Sequence, residues 1–232
     1  MLRSVLAIAA AAAVLGAPAA ASEVDLDNPT CPKQLNWSTY RQMRLTIETV
    51  DGLKVLKAEG VIDEGVPDRL GELLKANPAI DEIWIRSPGG NARSGNAAGK
   101  IIRAAALPTR IPRGWACFSA CNFMFMGGPI RYVDSGGLFV VHMFTHLGDK
   151  EAVREEVKRD ADRAIGLIGE VEQDSALLAS EDNDFLIRMG VSRKLLTDVM
   201  YRQKAVADDE NKSTRRCLTA EETVKYNVAN AH

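Results

Sequence analysis

The chain has 232 residues, of which 46% are hydrophobic, 26% charged and 6% aromatic, a composition typical of a globular protein with a sizeable core. Its 29 lysines and arginines against 31 aspartates and glutamates give a formal net charge of −2. Proteins that bind nucleic-acid phosphates carry a basic excess, so this balance excludes nucleic acid as an expected partner. It gives no support to a membrane-surface role either.

Residues 1–21 have the pattern of a secretory signal peptide. Arg3 precedes an Ala-rich apolar run from Val5 to Leu15, and Ala19 and Ala21 supply the small residues before the predicted cleavage site. The run is shorter than the roughly 20 residues that span a bilayer, and no later apolar stretch approaches that length. We therefore expect a mature chain without a membrane span, located in the periplasm or secreted.

The elements that follow predict an α/β domain. After an irregular lead-in over residues 22–43, Arg44–Val50 and Leu53–Ile62 alternate as two strands joined at Asp51-Gly52, and Pro67–Ala76 has apolar residues at helical spacing. The next predicted elements are a strand Ile80–Ile85, a helix from about Ser94 to Ala106, a strand Thr109–Trp115, a short buried helix Ser119–Met126 and a strand Leu138–Met143. Strands that alternate with helices indicate crossover connections, so residues 44–232 are expected to form one domain.

The C-terminal part is predicted to be mainly helical. The charged run Asp149–Glu172 has apolar residues at helical spacing, which indicates a helix with a solvated face. Asp208–Ser213 has the composition of a polar loop. Thr219 followed by Glu222 forms a capping box, which predicts a last short helix.

Four cysteines, Cys31, Cys117, Cys121 and Cys217, are expected to pair because export places them in an oxidising compartment. Four cysteines allow three connectivities, and sequence alone does not choose among them. The spacing of Cys117 and Cys121 suggests a local bridge, which leaves Cys31 and Cys217 to join the two ends of the mature chain.

A zinc site is the competing interpretation of the cysteines. It has little support, because no second cysteine pair is spaced as metal ligands are and because His142, His146 and His232 do not cluster with the cysteines. No metal and no organic cofactor is therefore expected.

Three segments carry residues suited to acyl transfer: Ser87-Pro88-Gly89-Gly90, Cys117-Phe118-Ser119-Ala120-Cys121, and His142 in an apolar strand. A serine nucleophile needs a base that takes its proton and two backbone N–H groups that stabilise the oxyanion. Ser119 at the start of a helix, followed by a returning strand with His142, meets the first need. The N–H of Ala120 is one natural oxyanion donor, and Gly89 and Gly90 let the backbone approach a substrate as the second.

In the order and spacing of these segments the chain resembles the Clp protease proteolytic-subunit and signal-peptide-peptidase-A group of the ClpP/crotonase-like superfamily. It is most similar to the exported bacterial branch with a Cys-x-Ser-Ala-Cys segment. The resemblance extends from about Leu53 to Asn227 and includes Lys57–Ile62, Arg131 and Leu218–Glu222. It implies a spiral of strand–strand–helix units, a serine hydrolase acting on peptides or proteins, and self-assembly into rings or trimers, with the number of subunits left open.

Three alternatives to this hypothesis are open. A free thiol at Cys117 or Cys121, paired with His142, would also perform acyl transfer, although in an exported protein the pair is better explained as a disulfide that fixes the turn around Ser119. A crotonase-like acyl-coenzyme A enzyme would use the same glycine turn, but an exported protein does not meet that cofactor. A catalytically silent peptide-binding or scaffold protein would keep the fold without the chemistry.

The sequence departs from the Clp proteolytic subunits at the acid of the catalytic triad. Alignment on Leu218-Thr219-Ala220 places Arg215 where the family has an aspartate. The acid could come from Asp208-Asp209-Glu210 instead, a backbone carbonyl could orient His142 in a Ser–His dyad, or the site could be inactive. The loop acids lie in a polar run typical of an exposed turn, so we expect a dyad with slow turnover.

Changing Asp208, Asp209 or Glu210 singly to alanine is therefore expected to lower hydrolysis by less than about tenfold, roughly 1.4 kcal/mol of barrier. Loss of a carboxylate that orients the base of a triad costs far more, up to ~10⁴ in rate. Initial rates of peptide hydrolysis by the three variants, each checked for folding by circular dichroism, measure the effect. A loss of several hundredfold in one variant would place the third catalytic residue in this loop.

Overall fold

The architecture consists of two β-sheets with helices in the connections between their strands. The computed structural model describes residues 24–26, 28, 30–144, 150–206 and 214–231. The predicted signal peptide over residues 1–21, the loop residue His146 and the loop acids Asp208 to Glu210 lie outside the described residues.

The strands are β1 (Arg44–Val50), β2 (Leu53–Glu59), β3 (Glu82–Arg86), β4 (Thr109–Ile111), β5 (Ala116–Phe118), β6 (Arg131–Val133), β7 (Leu138–His142) and β8 (Arg215–Cys217). The α-helices are α1 (Val66–Ala76), α2 (Ala92–Ala104), α3 (Cys121–Met126), α4 (Lys150–Arg159), α5 (Ala161–Arg188) and α6 (Ala220–Lys225). A π-helical turn, Leu195–Val199, and a 3₁₀ turn, Met200–Arg202, follow α5. Within these ranges no helix is both long enough and apolar enough to cross a membrane.

The larger sheet has the strand order β1-β2-β3-β4-β6. β1 and β2 form the predicted hairpin, in which Asp51 and Gly52 have φ of 50° and 84°, as a two-residue type I′ turn requires. β2, β3, β4 and β6 run parallel to their neighbours, and α1, α2 and α3 lie in the connections between them. Parallel pairing with helical crossovers confirms the α/β class predicted from the sequence.

The smaller sheet contains β5, β7 and β8, and it positions the candidate site. β5 and β7 are parallel, whereas β7 and β8 are antiparallel. The prediction of one strand over Thr109–Trp115 is wrong, because β4 ends at Ile111 and β5 begins at Ala116 in the other sheet. Pro112 has no N–H to donate to a ladder, and Gly114 turns the chain at φ 77°.

The predicted helical run Asp149–Glu172 is divided into two helices. α4 ends at Arg159, and the side chain of Asp160 caps α5 by accepting from the backbone N–H of Asp162 at 3.1 Å. A capping carboxylate competes with helix continuation, which explains the break at this position. α5 then continues to Arg188, well beyond the predicted end.

Helix α3 is buried on all sides and packs tightly against α2. All six of its residues are buried. A Cβ atom on Gly95 would collide with the carbonyl oxygen of Ala120, and one on Gly99 would collide with that of Phe123. Glycine at these two positions therefore allows the backbones to approach, and the approach fixes the N-terminal end of α3.

Arg131, at the start of β6, joins three chain segments from inside the core. Its side chain is fully buried, and its guanidinium donates to the carbonyl oxygens of Val228, Gly128 and Asn227, each at 2.8 Å. Burial, and secondarily the charge of Arg103, lowers the pKa of Arg131 to about 10. Carbonyl dipoles thus hold this cation. In return Arg131 is a hydrogen-bond donor to each of those carbonyls, of which that of Gly128 also accepts from Arg103 at 3.2 Å.

Arg131→Lys is expected to lower the free energy of unfolding by about 3 kcal/mol or more, because one ammonium cannot replace the three directions of the guanidinium fork and leaves carbonyls unpaired. Urea unfolding followed by circular dichroism measures the change. Arg193→Lys, at an exposed position, is the matched control and is expected to change stability by less than about 0.5 kcal/mol. Equal stability of the two variants would contradict this account of Arg131.

Candidate active site

Ser119 lies between the last residue of β5 and the N-cap of α3. Its φ is 59°, in the left-handed region that residues with a Cβ atom rarely adopt. The sequence predicted that Ser119 begins the helix, but Ala120 is the N-cap and α3 begins at Cys121, so Ser119 lies on the turn itself. A turn of this kind exposes a side chain at the top of a strand and directs it away from both elements.

Two hydrogen bonds and one close backbone approach hold this turn in its strained form. The backbone N–H of Phe118 donates to the carbonyl of Ser87 at 3.1 Å, and that of Asn122 donates to the carbonyl of Ser119 at 2.9 Å. Gly89 packs so closely that a Cβ atom there would lie 2.6 Å from the Cβ of Ser119. The Ser-Pro-Gly-Gly segment therefore contacts the serine turn directly, which brings together two of the three predicted segments.

The cysteines are paired as their spacing suggested. Cys117 is bonded to Cys121 across the serine turn, with Cα atoms 5.4 Å apart, and Cys31 is bonded to Cys217, 186 positions away. Both thiols beside Ser119 are thereby consumed, so neither is free to act as a nucleophile. The local bond closes the turn from strand to helix, while the long-range bond fixes the N-terminal segment to β8.

His142 reaches Ser119 because β5 and β7 are parallel neighbours. Phe118 is in register with Val140, so the residue two positions further along β7 lies beside the turn that follows β5. Nε2 of His142 is 2.7 Å from Oγ of Ser119. The distance is within hydrogen-bond range for a nucleophile and its base, and the rings of Phe118 and His142 pack at 4.7 Å between centroids.

The surroundings of His142 favour the neutral imidazole. Burial lowers the pKa of His142 from its ordinary value of 6.5, and a hydrogen bond to the backbone of Met143 opposes the shift without reversing it. A neutral ring can accept the Ser119 proton through Nε2. A backbone partner for the ring is what the dyad hypothesis requires in place of a carboxylate.

The predicted oxyanion donors differ in whether their backbone N–H groups already donate to another acceptor. The N–H of Gly89 donates to Oγ of Ser87 at 3.0 Å and is therefore engaged. The N–H groups of Gly90 and Ala120 donate to no acceptor in the described part of the chain. Ala120 follows the serine directly, and its N atom lies 3.1 Å from the position that a Cβ on Gly89 would take. Ala120 thus lies beside the Gly89 turn, and Ala120 and Gly90 are the two predicted donors whose N–H groups are available in the described part of the chain.

Arg215 occupies the place beside His142 where a triad acid would be expected. β7 and β8 pair with His142 opposite Arg215. The Arg215 guanidinium forms an ion pair with Asp25 at 2.9 Å and lies over the ring of Trp37, with 5.9 Å between the guanidinium carbon and the ring centroid. β8 thus presents a cation instead of a carboxylate, and that cation is bound to the N-terminal segment.

Asp182 is a site residue that the sequence analysis missed. It lies on α5, is only 7% exposed, and lines the same cavity as Ser119 and His142. Burial raises the pKa of Asp182 to about 6, although a hydrogen bond from Asn96 favours the charged form. A signal was present, because buried Leu178, Phe185 and Met189 recur at helical spacing and Asp182 lies in the same stripe. A carboxylate on the buried face of a helix needs a functional or structural reason.

The cavity beside Ser119 and His142 measures about 30 Å³, roughly the share of liquid volume that one water molecule takes up. Its walls include Phe144, Leu178 and Met200 in addition to Asp182. A larger groove of about 680 Å³ lies between α1 and α2, but its lining includes neither Ser119 nor His142. The small cavity is therefore the one lined by the candidate nucleophile and base.

The described part of the chain contains no cluster of side chains suited to bind a metal ion. No group of three or more His, Cys, Asp or Glu side chains there is arranged to hold a metal ion.

The chain has a ClpP-like fold. ClpP1 from Listeria monocytogenes is similar over 76% of this chain and 88% of its own, with 14% sequence identity and a TM-score of 0.51. A variant of the same ClpP1 gives that coverage and TM-score at 13% identity. A variant of the 1510-N membrane-bound stomatin-specific protease is similar over 76% of this chain and 75% of its own, at 13% identity and a TM-score of 0.45.

No family model and no curated protein sequence matches this chain. The structural likeness confirms the ClpP/crotonase-like fold predicted from the sequence. At 13–14% identity it concerns the fold alone, so the activity has to be argued from the residues of the site.

The double variant Cys117→Ala/Cys121→Ala is expected to slow the reaction of Ser119 with a fluorophosphonate at least about tenfold, because the turn loses the bond that fixes it. The variant Cys31→Ala/Cys217→Ala is the control. It should be destabilised more, by roughly 5 kcal/mol against roughly 2 kcal/mol for the local pair on chain-entropy grounds, while its reaction rate changes less. Equal reaction rates in wild type and the Cys117/Cys121 variant would refute the bracing role.

Proposed function

We propose that this chain is a serine hydrolase that cleaves peptides or proteins. The observation that carries the proposal is the 2.7 Å contact between Oγ of Ser119 and Nε2 of His142, a half-buried residue whose surroundings lower its pKa. The strained strand-to-helix turn and the ClpP-like fold support it, since both are compatible with an exposed nucleophile at the end of a strand.

In the proposed reaction Ser119 attacks the carbonyl carbon while His142 takes the hydroxyl proton through Nε2. The developing oxyanion accepts hydrogen bonds from the backbone N–H groups of Ala120 and of the Gly89-Gly90 turn, where the Gly90 N–H is the unengaged donor. His142 then returns the proton to the leaving amine, and the C–N bond breaks to leave an acyl-enzyme. Water hydrolyses this ester with His142 acting again as the base.

The proposed enzyme works without a carboxylate behind its base. Arg215 takes the position beside His142, and the ring is oriented by the backbone of Met143 instead. A backbone acceptor does not stabilise the imidazolium as a carboxylate would, so slow turnover is expected. The small cavity has the same consequence, because a peptide must displace side chains such as Phe144 and Leu178 to reach Ser119.

We propose further that residues 1–21 are a cleaved signal peptide and that the mature protein is periplasmic or secreted. The two cysteine pairs support this location, because disulfides persist in oxidising compartments. Assembly into a homo-oligomer remains part of the proposal on the strength of the sequence resemblance.

Wild-type protein is expected to react covalently with a fluorophosphonate at Ser119, whereas Ser119→Ala should lose all labelling and all peptide hydrolysis while remaining folded. His142→Gln should slow labelling by about 100-fold or more, because the general base is removed. Ser180→Ala, an exposed serine on α5, is the control and should label as wild type does. Intact-protein and peptide mass spectrometry identify the modified residue.

Two outcomes would decide against the proposal. Labelling that persists in Ser119→Ala would assign the nucleophile elsewhere. A folded wild-type protein that does not label and cleaves no peptide would favour the second candidate, a catalytically silent peptide-binding or scaffold protein. The observation that favours a silent protein is that Arg215 lies opposite His142, where the triad acid is expected.

A further inference from the structure

A second cavity of about 120 Å³ adjoins the one that contains Ser119 and His142. The two cavities share three wall residues, Phe144, Leu178 and Asp182. The second is roughly four times as large as the share of liquid volume that one water molecule takes up, which leaves room for a side chain of about five non-hydrogen atoms. A substrate residue next to the reacting carbonyl could therefore extend into it.

Apart from the hydroxyl of Ser175, the walls of this cavity are apolar except at two places. Met143, Ala179 and Leu178 contribute hydrocarbon surface. Asp182 contributes a carboxyl group, and Tyr201 contributes a hydroxyl that is buried without a hydrogen-bond partner in the described part of the chain. A buried hydroxyl without a partner costs free energy, so its presence points to a ligand that completes it.

The Asp182 carboxyl group is only partly satisfied. One oxygen accepts from Nδ2 of Asn96 at 3.2 Å, and in the described part of the chain the other oxygen has neither a hydrogen-bond donor nor a cation within ion-pair distance. The raised pKa of Asp182 reflects this burial, with Asn96 acting against it and the neighbouring charge of Glu181 adding to it. Burial is the main cause that raises the pKa of Tyr201, and the Asp182 carboxyl raises it further. His142 is the other titratable group on the adjoining cavity that contains Ser119.

We propose that the Asp182 cavity binds the side chain of a lysine next to the scissile bond, so that the hydrolase selects peptides with lysine at that position. The inference rests on the proposed function. The four methylene groups of lysine match the apolar walls, and its ammonium can donate to the free Asp182 oxygen and to the Tyr201 hydroxyl. The guanidinium of an arginine has five N–H donors in fixed directions, which is more than the Asp182 oxygen and the Tyr201 hydroxyl can accept.

The test uses a library of peptidyl coumarin amides in which only the residue before the scissile bond is fixed and the others are randomised. We expect kcat/KM for lysine to exceed that for norleucine, which has the same stem and no ammonium, by about 100-fold, because the buried polar groups stay unpaired with norleucine. Asp182→Asn should reduce this ratio to below about fivefold. Asp184→Asn, an exposed residue on the same helix, is the matched control and should keep the wild-type ratio.

A second measurement does not depend on turnover. n-Butylammonium, which reproduces the lysine side chain, should raise the Tm of wild type and of Asp184→Asn but not that of Asp182→Asn, and n-butanol should raise none of them. The two measurements separate the two proposals. Cleavage without a lysine preference, or with a preference that Asp182→Asn retains, overturns the lysine pocket and leaves the hydrolase intact.

Failure of the hydrolase has a different signature. If no member of the library is cleaved, the proposed function fails, and the Tm measurement then decides the pocket alone. Selective stabilisation by n-butylammonium that requires Asp182 supports a lysine-binding pocket in a silent protein. Equal shifts in wild type and Asp182→Asn, or none, refute the pocket.

Discussion

The left-handed backbone of Ser119 is the constraint on which the rest of the site depends. A residue with a Cβ atom adopts φ of 59° at a cost of order 1–3 kcal/mol and keeps it only where the surroundings leave no alternative. Here the bond between Cys117 and Cys121 closes the turn, Gly89 packs against it, and the burial of α3 fixes its far end. Strain held by this many contacts is typical of a functional position, and it directs the hydroxyl toward the neighbouring strand.

That neighbouring strand, β7, positions the other residues of the proposed site. The parallel register of β5 and β7 places His142 beside the turn, and the antiparallel register of β7 and β8 places Arg215 beside His142. The ion pair between Arg215 and Asp25 then ties the N-terminal segment to this edge, together with the bond from Cys31 to Cys217. The position that a triad would give to an acid is thus used to anchor the N-terminal segment, and the proposed base has partial burial and a backbone partner instead.

Much of this arrangement could be predicted from the sequence because it is local. The hairpin turn at Asp51-Gly52 and the proximity of Cys117 and Cys121 follow from spacing and residue type. Pro112 and Gly114 mark the break in the predicted strand Thr109–Trp115, but the sequence could not show that the next strand, which begins at Ala116, belongs to the other sheet, since only long-range pairing determines which sheet a strand joins. Asp182 was missed for a similar reason, because its α5 helix reaches the cavity only through tertiary packing.

The central claim is that His142 is a neutral base whose Nε2 accepts from Ser119. Nitrogen-15 NMR of the imidazole through a pH titration tests it most directly, with the His142→Gln variant assigning the signal among the three histidines. The account predicts that the pKa of His142 is below 6.5. At a pH above that pKa it predicts a neutral ring with the proton on Nδ1 and with Nε2 unprotonated, so that Nε2 accepts from Ser119. A pKa above 6.5, or a neutral ring protonated at Nε2, would contradict it.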